Sequence, residues 1–308
     1  MQHTTPSNTN QDPANPSISP AALDKAAALV EAHAYIRRFD GKAVVVKVGG
    51  SIMDEPATLD RLVQDVCFLD AVGMRPIVVH GGGKGLTQAM KEAGLEAHFV
   101  QGQRYTDERT LAIAEHVFVQ QINQPIVARI RELGHKAMGL HSLGSCAVFA
   151  RRLFLDGEDG RRVDIGYVGE VESVNGDLLR ALIEADYIPV IAPVARDAAG
   201  SKLNVNADSV AGHVAAAIGA EKLVLVSDTH GIRASEDVDD LATHLTKQQI
   251  EQLIEKGIIS AGMLPKVEAS FTALAGGVNK THIIDGRIPH SLLLEVYTDK
   301  GIGTEIVL

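Results

Sequence analysis

The sequence predicts an α/β fold, an open and mainly parallel sheet sandwiched between helices, and three observations carry that expectation. Two β-branched runs, 43–48 and 75–79, each end in glycines. Strand and helix signals then alternate along most of the chain, as they do where parallel strands are joined by crossover helices. The 308 residues, 45% apolar and 22% charged, suffice for a large core arranged as one big domain or two lobes.

Residues 1–19 are polar, rich in Asn, Pro, Ser and Thr, and lack the apolar stretch of a secretory signal. They are expected to form a disordered tail. Ser19 and Pro20 make a good N-cap and first-turn pair, after which Leu23, Ala26, Ala27, Val30 and Ala34 fall at helical spacing. That helix, within 20–40, either packs on its own domain or docks on another subunit; periodicity does not choose. Next come a strand at 43–48, a helix at about 58–72, a strand at 75–79, a helix at about 84–93 and a long helix at about 107–133. Between 146 and 174 the runs shorten, broken by Asp156-Gly157, Asp159-Gly160 and Asn175-Gly176, which predicts antiparallel hairpins inserted at an edge. Parallel order resumes at 187–192 and 223–226. Helices follow at about 207–219, 246–256 and 265–276, with a strand at 281–284. Thr246 and Gln249 form a capping box. Beyond residue 20 there is no internal repeat, low-complexity tract or clear linker.

Composition excludes several functions. A net charge of −10 disfavours nucleic acid and anionic membrane as partners, so any bound phosphate must be met by local positive groups. No stretch reaches the roughly 18 apolar residues of a membrane span. Cys67 and Cys146 lie far apart without metal-ligand spacing, as expected for reduced thiols in a cytoplasmic protein. No metal site is expected among the side chains.

The glycine turns point to chemistry. Lys47 sits at the carboxyl end of the first strand, before Gly49 and Gly50, and His80 at the end of the second, before Gly81, Gly82 and Gly83. Ligands of open α/β sheets bind at such ends, and glycines leave backbone N–H groups available to anions. Two turns suggest two anionic groups face to face. Downstream, NVNAD at 204–208 gathers polar side chains where a helix begins, more of them than capping requires. GMLPK at 262–266 puts Lys266 near another helix start, where a cation opposes the helix dipole unless an anion is bound there. The segment Ser227-Asp228-Thr229-His230-Gly231 follows a strand and could turn the chain or line a nucleotide pocket. A Walker P-loop is absent.

Taken in order, KVGG at 47–50, HGGG at 80–83, QGQRYTDE at 101–108, NVNAD at 204–208, VSDTHGI at 226–232, GMLPKVEA at 262–269, HIIDGRIPHSLLLE at 282–295 and GIGTEI at 301–306 resemble the amino acid kinase family, above all its branch that phosphorylates N-acetyl-L-glutamate in arginine biosynthesis. The resemblance implies an acyl-amino-acid lobe at 41–195 and an ATP lobe at 196–308. Lys47 and Lys266 would flank the transferred phosphoryl group, with Asp208 orienting both. Gly49, Gly50, Asp228, Gly231 and Gly262 would bind nucleotide or phosphate. Gly82, Gly83, Arg104 and Asn204 would hold the acyl substrate, Arg104 gripping its α-carboxylate. ATP is the implied co-substrate, with Mg2+ bound mainly through its phosphates. His80 is expected to be structural. The helix at 20–40 resembles the arm of arginine-inhibited hexameric members, so Tyr35, His282, Glu295 and Gly301 would surround an L-arginine site in a trimer of dimers. With the last motif ending at 306, no fused acetyltransferase domain is expected.

Three places depart from the family pattern: Lys84 stands where proline is common, Gln103 and Tyr105 flank Arg104 where apolar residues are usual, and residues 141–145 lack an expected aspartate. These departures leave room for a related substrate, a carrier-linked aminoadipate or glutamate. A non-catalytic arginine sensor is the alternative of another class, and the joint presence of Lys47, Asp208 and Lys266 argues against it.

Overall fold

A computed structural model describes residues 19–157, 160–235, 237, 240–298 and 301–308. The expected tail at 1–18 and Asp159 of the predicted hairpin turn lie outside them. At the centre is an eight-stranded sheet in the order His244–Thr246, Thr304–Val307, Lys280–Asp285, Lys222–Ser227, Ala43–Val48, Arg75–His80, Tyr187–Ile191, Lys136–Leu140. Every neighbouring pair is parallel except Thr304–Val307 against Lys280–Asp285.

The run AVVVKV at 43–48 is apolar on both faces because helices cover both. Val45 turns toward the core that includes Val210, Val214 and Val267 from the helices Ala207–Ile218 and Leu264–Ala275. Val44, Val46 and Val48 face the opposite core, built on the helices Pro56–Ala71, Gln124–Glu132 and Ser291–Tyr297. Lys47 alternates onto Val45's side, the side where Asp208 begins its helix. Ala43–Val48 is flanked by Arg75–His80 and Lys222–Ser227, a point where strand order runs outward in both directions and where such sheets open a crevice at their carboxyl ends.

The hairpin expected within 146–174 is present as Val148–Asp156 against Arg162–Val174. It does not lengthen the main sheet: with Val194–Arg196 and Lys202–Val205 it closes a small four-stranded barrel. Asn175-Gly176 turns out to open a helix, not a hairpin, because the Asn175 side chain accepts the Leu178 N–H at 3.0 Å and starts Gly176–Glu184. The long helix predicted at 107–133 runs from Glu108 to Glu132 but passes through π-type turns at His116–Asn123, just before Pro125, which has no N–H to give to an α-helical ladder. The Thr246–Gln249 capping box is present.

Ser19 caps the helix Pro20–Phe39. Phe39 is its buried residue, while Leu23, Leu29 and Val30 stand mostly exposed. Cys67 and Cys146 are both free, Cys146 only half-buried, and burial pushes the Cys67 thiol up to about 11. Among the described residues, no helix is long and apolar enough to cross a membrane.

Candidate active site

A cleft of about 620 Å³ opens at the carboxyl ends of the central strands and brings together Lys47, Gly49, Gly82, Gly83, Arg104, Asn204, Asp208, Asp228, Gly262 and Lys266. Gly50 opens the short helix Gly50–Met53 beside it. Asp208 is the electrostatic centre. Asn206 caps the helix Ala207–Ile218 by accepting the N–H groups of Asp208 and Ser209, which fixes the first turn and aims Asp208 at the strand Ala43–Val48. Its Oδ1 lies 2.8 Å from Lys47 Nζ and its Oδ2 3.6 Å from Lys266 Nζ. Lys47 is 4% exposed and Asp208 7%. Burial alone would raise the Asp208 pKa, but the two ammonium groups more than reverse this and hold it below the usual carboxylate range. Burial also presses Lys266 below the usual lysine range, with Asp208 pulling it back. Two lysines to one carboxylate give the triad a formal charge of +1, in a cleft open enough for an anionic ligand.

The glycines serve different ends. The Gly49 N–H donates to the Val226 carbonyl at 2.8 Å, so it is not left for a ligand; its contribution is close approach, since a Cβ would come within 2.8 Å of that oxygen. Gly82 has φ 154°, and a Cβ there would meet Phe118 Cε1 at 2.6 Å and Ile122 Cδ1 at 2.7 Å, both on the π-type turns. Only glycine fits where the chain turns into the helix Gly83–Glu92.

Arg104 enters from the hairpin of Phe99–Val100 and Gln103–Arg104. Its Nη2 donates to the Gly83 carbonyl at 3.0 Å and to Thr87 Oγ1 at 2.7 Å, and its guanidinium carbon lies 4.7 Å from the Phe99 ring centre. Asn204 Nδ2 donates to Thr106 Oγ1 at 3.3 Å. His80 is fully buried, with Nδ1 2.8 Å from the Gly81 carbonyl and Nε2 3.1 Å from Asn123 Nδ2. Burial drives its pKa down to about 4. A neutral ring spanning these two partners braces the glycine turn.

Two of the departures from the family pattern, Lys84 and Gln103, line this site. Lys84 lines the cleft and lies 3.4 Å from Asp54; Gln103 lines it too, and Tyr105 is 40% exposed. In the 141–145 loop, buried Ser142 donates to Glu115 at 2.7 Å, Glu115 pairs with Lys202 at 2.7 Å, and Arg196 donates to the Ser142 carbonyl. This ion network anchors the loop.

A second cleft of about 360 Å³ shares Asp228 with the first. It is lined by Asp228 through Arg233, Ile258, Ile259, Ser260 and Met263, and it adds Arg287, which the sequence reading did not single out. A separate cavity of about 600 Å³ gathers Tyr35, His282, Glu295 and Gly301. There Glu295 Oε1 lies 2.6 Å from His282 Nδ1, and Oε2 accepts the N–H groups of Ile302 and Gly303. Among the described residues, no group of three or more His, Cys, Asp or Glu side chains is arranged to hold a metal ion.

Residues 42–285 match the model of the amino acid kinase family. The chain belongs to the amino acid kinase family. It is 46% identical over 288 residues to an acetylglutamate kinase of Symbiobacterium thermophilum, covering 93% of this chain and 98% of that one. It is 44% identical to an acetylglutamate kinase of Acinetobacter baumannii, covering 92% and 95%. Among solved structures, the N-acetylglutamate synthase of Neisseria gonorrhoeae, complexed with coenzyme A and N-acetyl-glutamate, superposes with a TM-score of 0.81 at 28% identity over 92% of this chain. The match spans 63% of that synthase's length. The same synthase complexed with coenzyme A and L-arginine matches with a TM-score of 0.78 at 27% identity, over 92% of this chain and 65% of that one.

Proposed function

We propose that this member of the family transfers the γ-phosphoryl group of ATP to the γ-carboxylate of N-acetyl-L-glutamate, giving the acyl phosphate in arginine biosynthesis. The observation that carries the proposal is the buried carboxylate of Asp208 held between Lys47 and Lys266 in the wall of the cleft, joined to the names of relatives that match nearly end to end.

The reaction needs little from a side chain as base. A γ-carboxylate is ionised at neutral pH, so its oxygen can attack phosphorus directly, and catalysis reduces to aligning two anions and neutralising their repulsion. Lys47 and Lys266 supply positive charge to the transferring oxygens, and Asp208 keeps both ammonium groups in register. The Gly82 turn contributes backbone donors. Arg104, a planar fork already poised by Gly83 and Thr87, takes the α-carboxylate, with Asn204 beside it. The second cleft, with Asp228, Gly231 and the apolar Ile258 and Ile259, takes the nucleotide, so residues 41–195 serve the acyl substrate and 196–308 serve ATP. Mg2+ is carried mainly by the phosphates and adds charge neutralisation when bound.

Regulation follows the same reading. Tyr35, His282, Glu295 and Gly301 form an L-arginine site in which the Glu295 carboxylate pairs with the ligand's guanidinium, and the exposed apolar side of Pro20–Phe39 is buried against a second copy in a cytoplasmic hexamer, a trimer of dimers. Its support is the shared lining of that cavity and the relative solved with L-arginine.

Trapping the product with hydroxylamine tests the activity. ATP-dependent acyl hydroxamate is expected with N-acetyl-L-glutamate, and far less with L-glutamate or N-acetyl-aminoadipate. A preference for either of the latter would overturn the substrate assignment, and no hydroxamate from any carboxylate would overturn the kinase reading in favour of a sensor.

A further inference from the structure

Asp285 ends the strand Lys280–Asp285 level with Ser227 of the neighbouring strand, so its carboxylate stands at the same edge of the sheet as the second cleft. It is 1% exposed, a placement that is costly for a carboxylate unless several donors answer it. They do. Arg287 Nη2 lies 2.6 Å from Oδ2, Arg287 Nε lies 2.9 Å from Oδ1 and 3.2 Å from Oδ2, and the Arg287 N–H donates to Oδ1 at 2.9 Å. His230 Nδ1 lies 3.0 Å from Oδ2. A buried anion thus fixes two side chains that are themselves about half or more exposed, and both line the cleft.

A clamp of this kind exceeds what packing needs. It uses Nε and Nη2 of the guanidinium and, among the described residues, leaves Nη1 without a hydrogen bond. Ile232, Ile258 and Met263 give the cleft an apolar wall suited to a base, while the lysines that would meet the γ-phosphate line the first cleft. A phosphate chain joining the two passes Asp228, which lines both. Repulsion there is offset by a fixed cation, and Arg287 lines the same cleft as Asp228.

We propose that Arg287 binds the phosphate chain of the nucleotide in the second cleft, and that Asp285 is the positioning residue that holds it there. The proposal rests on the nucleotide reading of that cleft, so its test measures binding, not turnover. Calorimetry on the full chain with ADP, ATP and adenosine compares the parent with Arg287→Gln, Arg287→Lys and Asp285→Asn. Losing one charge-assisted contact should weaken ADP and ATP roughly ten- to hundredfold while adenosine is unchanged. Lysine at 287, a point charge without the fork, should recover part of the loss. Asp285→Asn should weaken ADP binding while leaving the Michaelis constant for the acyl amino acid unaltered. In the Arg287 variants Asp285 keeps the residue-287 N–H and His230 as partners, and thermal denaturation of each variant separates lost binding from lost folding. Parent-like ADP binding by Arg287→Gln, or an equal loss of adenosine, would overturn the proposal and leave the kinase reading intact. A parent chain that binds no nucleotide at all would overturn both.

Discussion

Replacing Asp208 by Asn keeps the shape of the side chain and removes the charge that joins two buried lysines, so it separates electrostatics from packing. Lys47 Nζ lies 2.8 Å from Asp208 in surroundings where it is 4% exposed, and Lys266 lies 3.6 Å away on the other side. An amide leaves both ammonium groups without the carboxylate they share. Breaking a buried pair from one side costs about 3 to 5 kcal/mol, which for a chain of 308 residues lowers Tm by roughly 5 to 8 °C. The second consequence is kinetic. The lysines then lose their orientation toward the transferring group, and kcat is expected to fall about 10² to 10³-fold, the usual cost of losing one oriented donor, with the Michaelis constant for ATP changed far less. Differential scanning calorimetry and steady-state kinetics on Asp208→Asn, and on Asp208→Asn combined with Lys47→Met, provide the assay. The double variant should be less destabilised than the sum of the singles, because it removes both members of the tightest pair. An Asp208→Asn protein with parent-like Tm and kcat would refute the cradle as the electrostatic centre.

Arg104→Lys should raise the Michaelis constant for N-acetyl-L-glutamate at least about tenfold and leave that for ATP unchanged; equal effects on both substrates would remove Arg104 from the acyl site. His80, whose pKa falls from 6.5 to about 4 on burial, stabilises the fold above pH 6.5, and that contribution fades as pH drops through about 4, by at most about 3 kcal/mol. Urea unfolding of the parent and His80→Gln near pH 7 and near pH 4 should therefore show a stability gap that narrows in acid, and a constant gap would contradict the assignment. Deleting residues 1–36 should convert a hexamer into dimers by light scattering and abolish inhibition by L-arginine; a full-length protein that is dimeric and indifferent to millimolar arginine would sink that regulatory reading.

The central strands were legible because parallel strands covered on both faces read as unbroken apolar runs, as at Val44, Val45 and Val46. Helix starts with local chemistry, Ser19 and Thr246, were legible for a different reason: their hydrogen bonds join residues three apart. Lys136–Leu140 and Gly176–Glu184 were missed, the first because Gly139 interrupts a five-residue run, the second because Asn175-Gly176 carries a turn signal that serves equally as a cap. Gly139 is there for tertiary reasons, since a Cβ would collide with the Asn123 side chain. The candidate site was legible only in pieces. Spacing marks Lys47 and Lys266 as lysines at ligand-facing turns, but their meeting at Asp208 depends on how strands and helices far apart in sequence are ordered, and only the family resemblance supplied that. The Asp285–Arg287 clamp illustrates the limit: DGR at 285–287 reads as an ordinary turn until burial of the carboxylate and the cleft beside it are seen.

The central claim is that a substrate carboxylate oxygen attacks the γ-phosphorus directly within the Lys47, Asp208 and Lys266 cradle. N-acetyl-L-glutamate carrying heavy oxygen in its γ-carboxylate tests it in one experiment, run with ATP and hydroxylamine and read by phosphorus NMR of the released phosphate. Hydroxylamine cleaves the acyl phosphate at its carbonyl carbon, so each phosphate released should carry one heavy oxygen from the substrate. Unlabelled phosphate formed alongside hydroxamate would contradict the account, because the phosphoryl group would then never have been joined to the carboxylate.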